Sequence, residues 1–185
     1  KLKPQTVKHV LGLLKRLSNF RVSRRLCEGI SFKITVPKVW NLKTEDLSPE
    51  QMKRLFEVIE KSTHPHAGDL MKLALYTGIR RGEMFKLKWD DVDFQRNFIR
   101  IREPKGGEDQ IVPLNESARE LLLNRPRFKD SPYVFPGREG RERVDVNRAL
   151  AEIKKAAGLS EDFRTLHGLR HVFASMVASS GQVDM

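Results

Sequence analysis

The feature that most constrains the fold is one β-hairpin pattern in an otherwise helical chain. Residues 97–101 (NFIRI) and 110–114 (QIVPL) are rich in β-favouring side chains. The stretch REPKGGED separates them and places Gly106 and Gly107 near a turn. The segments around this hairpin carry helical periodicity. The pattern therefore predicts an α+β fold, mostly helical, with a small three-stranded antiparallel sheet or hairpin rather than a doubly wound sheet.

Apolar periodicity and capping residues divide the rest of the chain into helices. SPEQ offers Ser48 as an N-cap, Pro49 at the first helical position and Gln51 three residues after the cap. Thr165 is a candidate cap for the last helix, and Phe173, Met176 and Val177 are expected to anchor that helix in the core. Further helices are predicted over residues 4–18, 69–76, 81–87, 117–123, 145–157 and 165–179.

The same patterns predict two domains. Residues 1–30 hold one amphipathic helix and a weaker segment, which cannot bury a core alone. Residues 31–47 have no helical period and contain Pro37, so we interpret them as an extended linker. A second domain is predicted over residues 48–185. Because the sequence begins with Lys1 rather than Met, we expect it to be a fragment of a longer protein.

Charge is concentrated at the start of the chain. The net charge is +11, and residues 1–43 contain eleven Lys and Arg against one acid, Glu28. A basic arm before a balanced domain indicates a polyanionic partner, although a solvated helix with a chance bias has the same composition. Cys27 is the only cysteine, which excludes an internal disulfide. With no apolar run long enough to span a bilayer and no signal-peptide pattern, we expect a cytoplasmic protein.

The stretch YTGIRRGE, residues 76–83, carries the first candidate site residues. Gly78 permits a sharp turn, and Arg80 and Arg81 fall at the start of the next helix, where free N–H groups favour an anion. A guanidinium adds a bidentate fork that matches phosphate. Glu83 is close enough to brace Arg80. A solvent-exposed Arg/Glu pair would show the same sequence.

Lys105 lies in the turn of the predicted hairpin. A lysine on a mobile two-stranded arm could deliver a proton to a site, since its pKa responds to neighbouring charges. A solvated turn lysine is the simpler interpretation.

The stretch HGLRH places His167, Arg170 and His171 on one face of the last predicted helix. Two histidines four residues apart can bind a metal, but no third ligand is evident and an intervening arginine would repel a cation. His167 beside Arg170 instead suits a phosphoryl group, with one residue binding charge and the other moving protons. We interpret His171 as a hydrogen-bonded residue that supports the turn.

Taken together, TGIRRGE, the hairpin lysine and HGLRH resemble the tyrosine recombinases, also called phage integrases. The resemblance covers residues 44–185. The segment LKPQTVKHVLGLLKRLSNF is similar, more loosely, to the last helices of the family's core-binding domain, which clamps the opposite face of DNA.

The resemblance implies a role for each motif residue. Arg80 and Arg170 would hold the non-bridging oxygens of a scissile phosphate, and Lys105 would protonate the leaving 5′ oxygen. His167 would assist proton transfer at the attacking hydroxyl, and Glu83 would support Arg80. The implied reaction uses a covalent 3′-phosphotyrosine and needs neither a cofactor nor a metal. Candidate DNA contacts are Lys3, Lys8, Lys15, Arg16 and Arg81.

The resemblance also implies partners and a nucleophile. The partners would be double-stranded DNA and other recombinase protomers, in a tetramer on DNA, and a phage or prophage origin fits. The family's nucleophilic tyrosine follows the His-x-x-Arg motif, whereas Tyr76 and Tyr133 both precede HGLRH. We therefore expect no nucleophile in this sequence and no covalent DNA adduct. A non-catalytic DNA-binding module with the same fold is the alternative.

Overall fold

The computed structural model describes residues 2–39, 45–104 and 107–180. The chain forms two compact units, Lys1–Lys43 and Thr44–Met185. The division falls inside the predicted linker, and the 48–185 domain is contained in the second unit.

The first unit consists of helix α1, Pro4–Ser23, followed by residues without regular secondary structure up to residue 39. The helix is five residues longer than predicted. It has Pro4 at its first turn and buries none of its residues. Val10, Leu14 and Leu17 on the apolar stripe are 45–51% exposed. Helix α1 is the only helix among the described residues of this unit, so no second helix covers this face.

The second unit is mostly helical with one small sheet, as predicted. Its helices are α2 Pro49–Glu60, α3 Pro65–Thr77, α4 Arg81–Lys86, α5 Glu116–Leu123, α6 Asn147–Ala156 and α7 Thr165–Ser179. Its strands are β1 Val92–Asp93, β2 Phe98–Ile101 and β3 Gln110–Pro113, with 3₁₀ turns at Trp89–Asp91 and Arg138–Gly140.

The sheet is antiparallel throughout, in the order β1-β2-β3. In the register, Ile99 pairs with both Val92 and Val112. Ile99 and Ile101 are buried whereas Arg100 between them is exposed, which is the alternation expected of a strand with one face on the core. The predicted three-stranded antiparallel sheet is confirmed.

The start of α2 follows the predicted capping box. The Ser48 hydroxyl accepts a hydrogen bond from the Gln51 backbone N–H at 3.2 Å, and the Gln51 side chain accepts one from the Ser48 N–H at 2.9 Å. These bonds satisfy two helix-terminal donors. They fix the entry of α2, whose Leu55 and Ile59 are buried in the core.

Helix α3 lies at the centre of the core and packs against α2, α5, α6 and α7. Leu70, Leu73 and Ala74 are fully buried. From α7 the buried side chains are Leu166, Leu169 and Val172, spaced three residues apart. The packing of α3 against α7 brings the two halves of the predicted site together.

Two expectations about α7 are wrong. Met176 is 56% exposed, and Phe173 and Val177 are only partly buried, because Leu166, Leu169 and Val172 occupy the core-facing side. Thr165 is the first helical residue rather than the cap. Arg164 is the N-cap, and its side chain makes no capping hydrogen bond. Among the residues described, no helix is long and apolar enough to cross a membrane.

Candidate active site

Arg80 is positioned by the turn that joins α3 to α4. Gly78 ends α3 in the left-handed conformation, at φ 66° and ψ 12°, which glycine adopts without steric cost. The Thr77 hydroxyl donates to the Leu73 carbonyl at 2.6 Å, and Ile79 is 2% exposed. The turn is therefore anchored on both sides, and Arg80 follows it as the N-cap of α4.

Glu83 hydrogen-bonds to Arg80, three residues before it in the chain. Its carboxylate accepts hydrogen bonds from the Arg80 backbone N–H and from the Arg80 guanidinium, both at 2.9 Å. The side chain of Glu83 is 13% exposed and that of Arg80 is 52% exposed. The carboxylate holds one edge of the guanidinium, and the rest of that group remains accessible to a ligand.

Arg170 reaches the same turn from α7. Its guanidinium donates a hydrogen bond to the carbonyl of Gly78. Burial lowers the pKa of Arg170, and the positive charge of Arg80 lowers it further, against an opposing effect of Glu83. Arginine stays protonated in proteins. Arg80 and Arg170 line the same cavity, and an anion bound there by both would offset the repulsion between their charges.

His167 and His171 lie one turn apart on α7 and contact each other. Their Nε2 atoms are 3.2 Å apart and their rings meet edge to face. Partial burial lowers the pKa of His167, and the charges of Arg164, His171 and Arg170 lower it further, while Glu45 raises it. A neutral imidazole is able to accept a proton, which is the role that the family resemblance implies for His167.

Arg80, Arg170 and His167 line one cavity of about 550 Å³. Arg81, Lys154 and Arg164 contribute further positive charge to its wall. The described residues that line it include no Asp or Glu. The cavity therefore favours an anionic ligand and disfavours a bare cation. Within the described ranges, no group of three or more His, Cys, Asp or Glu is arranged to hold a metal ion.

The remaining predicted DNA contacts differ in their surroundings. Lys3, Lys8, Lys15 and Arg16 are all exposed in the first unit. Arg81 instead donates to Asn147 at 2.7 Å and to Asp145 at 3.3 Å, and its guanidinium lies over the Phe85 ring. Its charge is partly engaged within the protein. DNA contact by these five residues stays a prediction, and Lys105 lies outside the described residues.

Neither tyrosine lines the cavity that holds His167 and Arg170. Tyr76 stacks on Phe56, and burial together with Glu60 and Glu120 raises the pKa of its hydroxyl. Tyr133 lines a separate cavity of about 520 Å³ that also includes Arg80. A raised pKa disfavours the phenolate form that attacks phosphorus.

Two residues of the site had no signal in the sequence. Arg164 lines the cavity, and Glu45 accepts hydrogen bonds from the backbone and the side chain of Arg164. Glu45 fell in the predicted linker, and its partner is 119 residues away. Periodicity and local spacing do not detect a contact of this range.

Comparison with known proteins identifies the family. Residues 45–184 match the phage integrase family, and the chain belongs to that family. It is 35% identical over 153 residues to tyrosine recombinase XerA of Pyrococcus furiosus, a match covering 78% of this chain and 52% of that protein. It is 30% identical over 190 residues to tyrosine recombinase XerC of Erythrobacter litoralis, covering 97% of this chain and 62% of that protein. The chain thus spans about half to three-fifths of these relatives' lengths.

Solved structures confirm the fold. A crystal structure of XerA recombinase superimposes with a TM-score of 0.61 at 30% identity, covering 92% of this chain and 61% of that one. A lambda integrase dimer bound to a COC′ core site gives a TM-score of 0.73 at 18% identity, covering 96% of this chain and 68% of that one. The α+β arrangement of the second unit is therefore that of an integrase catalytic domain.

Proposed function

We propose that this chain supplies the phosphate-binding and proton-transfer groups of a site-specific DNA recombinase. The observation that carries the proposal is the cavity in which Arg80 and Arg170, from two different helices, meet beside His167. Attack on a phosphodiester adds negative charge to the non-bridging oxygens. Two guanidiniums already fixed at that position stabilise the transition state more than the ground state.

The proton transfers are assigned to two further residues. His167 accepts the proton of the attacking tyrosine hydroxyl, and Lys105 donates one to the leaving 5′ oxygen, because an unprotonated alkoxide is a poor leaving group. The phosphate is then held as a 3′-phosphotyrosine ester, which conserves the bond energy for rejoining. Neither Tyr76 nor Tyr133 is proposed as that nucleophile, and we expect the 185-residue chain alone to form no covalent adduct with a nicked duplex.

The partners follow from the same proposal. Double-stranded DNA is the substrate, and strand exchange requires other recombinase protomers, in a tetramer by the resemblance to the family. The lambda integrase and XerA structures support the fold on which this depends. Cellular DNA as the substrate places the protein in the cytoplasm of a bacterium or of a phage host.

A transition-state mimic tests whether the site is catalytic. Phenol and vanadate condense, with loss of water, to a phenyl vanadate ester, which becomes five-coordinate when it takes up a further oxygen ligand such as water. In that form it resembles attack by a tyrosine hydroxyl, whereas inorganic phosphate resembles the ground state. Calorimetric titration of the purified chain should show vanadate with phenol binding at least about 100-fold more tightly than phosphate. Equal affinities would instead favour the alternative, a non-catalytic DNA-binding module that retains the fold.

A second comparison tests whether the chain binds DNA only through its overall positive charge. Arg148 is 94% exposed and pairs with Glu152 on α6, so it serves as a matched surface arginine. In duplex binding at fixed salt, Arg80→Ala should weaken affinity by about 1.5–3 kcal/mol, whereas Arg148→Ala should change it by less than about 0.5 kcal/mol. Equal losses would contradict a specific phosphate site.

A further inference from the structure

Glu45 is a buried carboxylate at the start of the second unit, and within the described residues its hydrogen bonds all come from one arginine. Its Oε1 accepts a hydrogen bond from the Arg164 backbone N–H at 2.7 Å. Its Oε2 accepts from Arg164 Nε at 3.0 Å and from Nη2 at 2.8 Å. The Glu45 side chain is 6% exposed and that of Arg164 is 47% exposed. A carboxylate this buried is stable only when charged donors satisfy it.

These bonds fix the beginning of α7. Arg164 is the N-cap of that helix and makes no capping bond with its own side chain. Glu45 lies three residues before Ser48, the N-cap of α2, so the contact ties the start of α2 to the start of α7. His167 is in the first turn of α7 and Arg170 is in the next. Three hydrogen bonds from the backbone and side chain of Arg164 to one carboxylate restrict the position and the rotation of the helix terminus that carries these side chains.

Glu45 also keeps its charge. Burial raises the pKa of its carboxyl, but the side-chain and backbone hydrogen bonds from Arg164 outweigh burial, and the net pKa lies below the ordinary value. Glu45 is therefore ionised at neutral pH. Its charge and that of Arg164 act on His167 with opposite signs, Glu45 raising and Arg164 lowering the histidine pKa.

We propose that Glu45 is a positioning residue, which holds Arg164 and the first turn of α7 so that His167 and Arg170 face one phosphate. This proposal rests on the proposed function, because the contact affects the reaction only if His167 and Arg170 bind the phosphate. Glu45 itself contacts no substrate. It acts through Arg164, which is the only residue from which Glu45 accepts a hydrogen bond within the part of the chain that the structure describes.

The first experiment follows the His167 imidazole by NMR titration in three variants. Glu45→Gln retains a side-chain oxygen for the Arg164 N–H but loses the charge, so the pKa of His167 should fall. Arg164→Gln removes the opposing charge, so that pKa should rise. Glu152→Gln, which removes an exposed carboxylate paired with His64 and Arg148, should leave it unchanged. A general loss of structure would not move one histidine in opposite directions.

Other charges near His167 stay constant across these variants. Arg170 and His171 share its helix. Arg80 and Arg81 at the start of α4, and Lys154 on α6, line the same cavity. A His167 pKa that is unchanged in both Glu45→Gln and Arg164→Gln would overturn the proposal.

The second experiment measures inorganic phosphate binding and separates positioning from charge. Removing a negative charge near a cationic site should by itself tighten phosphate binding. If Glu45 positions α7, Glu45→Gln should instead weaken binding by roughly three- to tenfold. Tighter binding would overturn the proposal. Arg164→Lys, which keeps the charge but loses the two guanidinium donors to Glu45 Oε2, should also weaken phosphate binding, and it provides a second variant if Glu45→Gln unfolds.

The two experiments distinguish the failure of this proposal from the failure of the proposed function. If the unmodified chain does not bind phosphate or vanadate, the proposed function fails. The titration of His167 still reports whether Glu45 and Arg164 set its environment, because that measurement needs no ligand.

Discussion

Replacing Gly78 with alanine should damage both the fold and the site. Gly78 has φ 66°, a conformation that costs a residue with a Cβ about 1–2 kcal/mol. A Cβ built there would lie 2.5 Å from Cδ1 and 2.9 Å from Cε1 of the Phe173 ring. The ring has to shift, and overpacking of this kind costs about 1–3 kcal/mol. Alanine also has fewer conformations than glycine in the unfolded chain, which stabilises the folded state by about 0.4–1 kcal/mol. The net loss of unfolding free energy should be about 1–4.5 kcal/mol.

Equilibrium unfolding in urea measures this loss as a lower midpoint at an unchanged slope. Gly82 provides the matched control. It lies in α4, and a Cβ there would meet no atom within 4 Å. Gly82→Ala should therefore be neutral or stabilising by up to about 1 kcal/mol. Equal midpoints for the two variants would refute the role assigned to the left-handed turn. Because the Gly78 carbonyl accepts a hydrogen bond from Arg170, Gly78→Ala should also weaken phosphate binding.

Three further predictions concern stability. Ser48→Ala removes the capping bond to Gln51 and should lower the unfolding free energy of the chain by about 1 kcal/mol in urea. Burial and the charges of Arg125 and Arg143 lower the pKa of His66 from 6.5 to about 4, so the unfolded chain binds more protons between those values. Stability contributed by neutral His66 is thus fully present above pH 6.5 and is lost as the pH falls towards 4. After allowance for the partial exposure of His66, the unfolding free energy should fall by about 2 kcal/mol over this pH range. His66→Gln should abolish this part of the pH dependence. Arg125→Met leaves Asp69 without its buried guanidinium partner and should cost about 3–5 kcal/mol by thermal or urea unfolding, whereas Arg148→Ala should have little effect.

The sequence predicts the parts of this protein that depend on neighbours along the chain. The Ser48 capping box, the strand around Ile99 and the turn at Gly78 are set by local geometry, and the structure contains all three. The grouping of Arg80 with His167 and Arg170 came from resemblance rather than from periodicity.

What could not be predicted depends on contacts between distant segments. The pairing of Glu45 with Arg164 spans 119 residues, and that of Arg81 with Asn147 spans 66. The apolar spacing of α7 allowed Met176 on the buried side, but Leu166, Leu169 and Val172 occupy that side in the structure. Tertiary packing decides which face of an amphipathic helix is buried when several apolar residues compete.

The central claim is that Arg80 and Arg170 bind one phosphate together, and a double-mutant cycle tests it most directly. Affinity for vanadate with phenol is measured by calorimetry for the unmodified chain, Arg80→Ala, Arg170→Ala and the double variant, with folding checked by thermal unfolding. Each single change should lose about 1.5–3 kcal/mol, and the double variant should depart from the sum by at least about 1 kcal/mol, because the two groups share a ligand. Additive losses, or single losses no larger than that of Arg148→Ala, would contradict the claim.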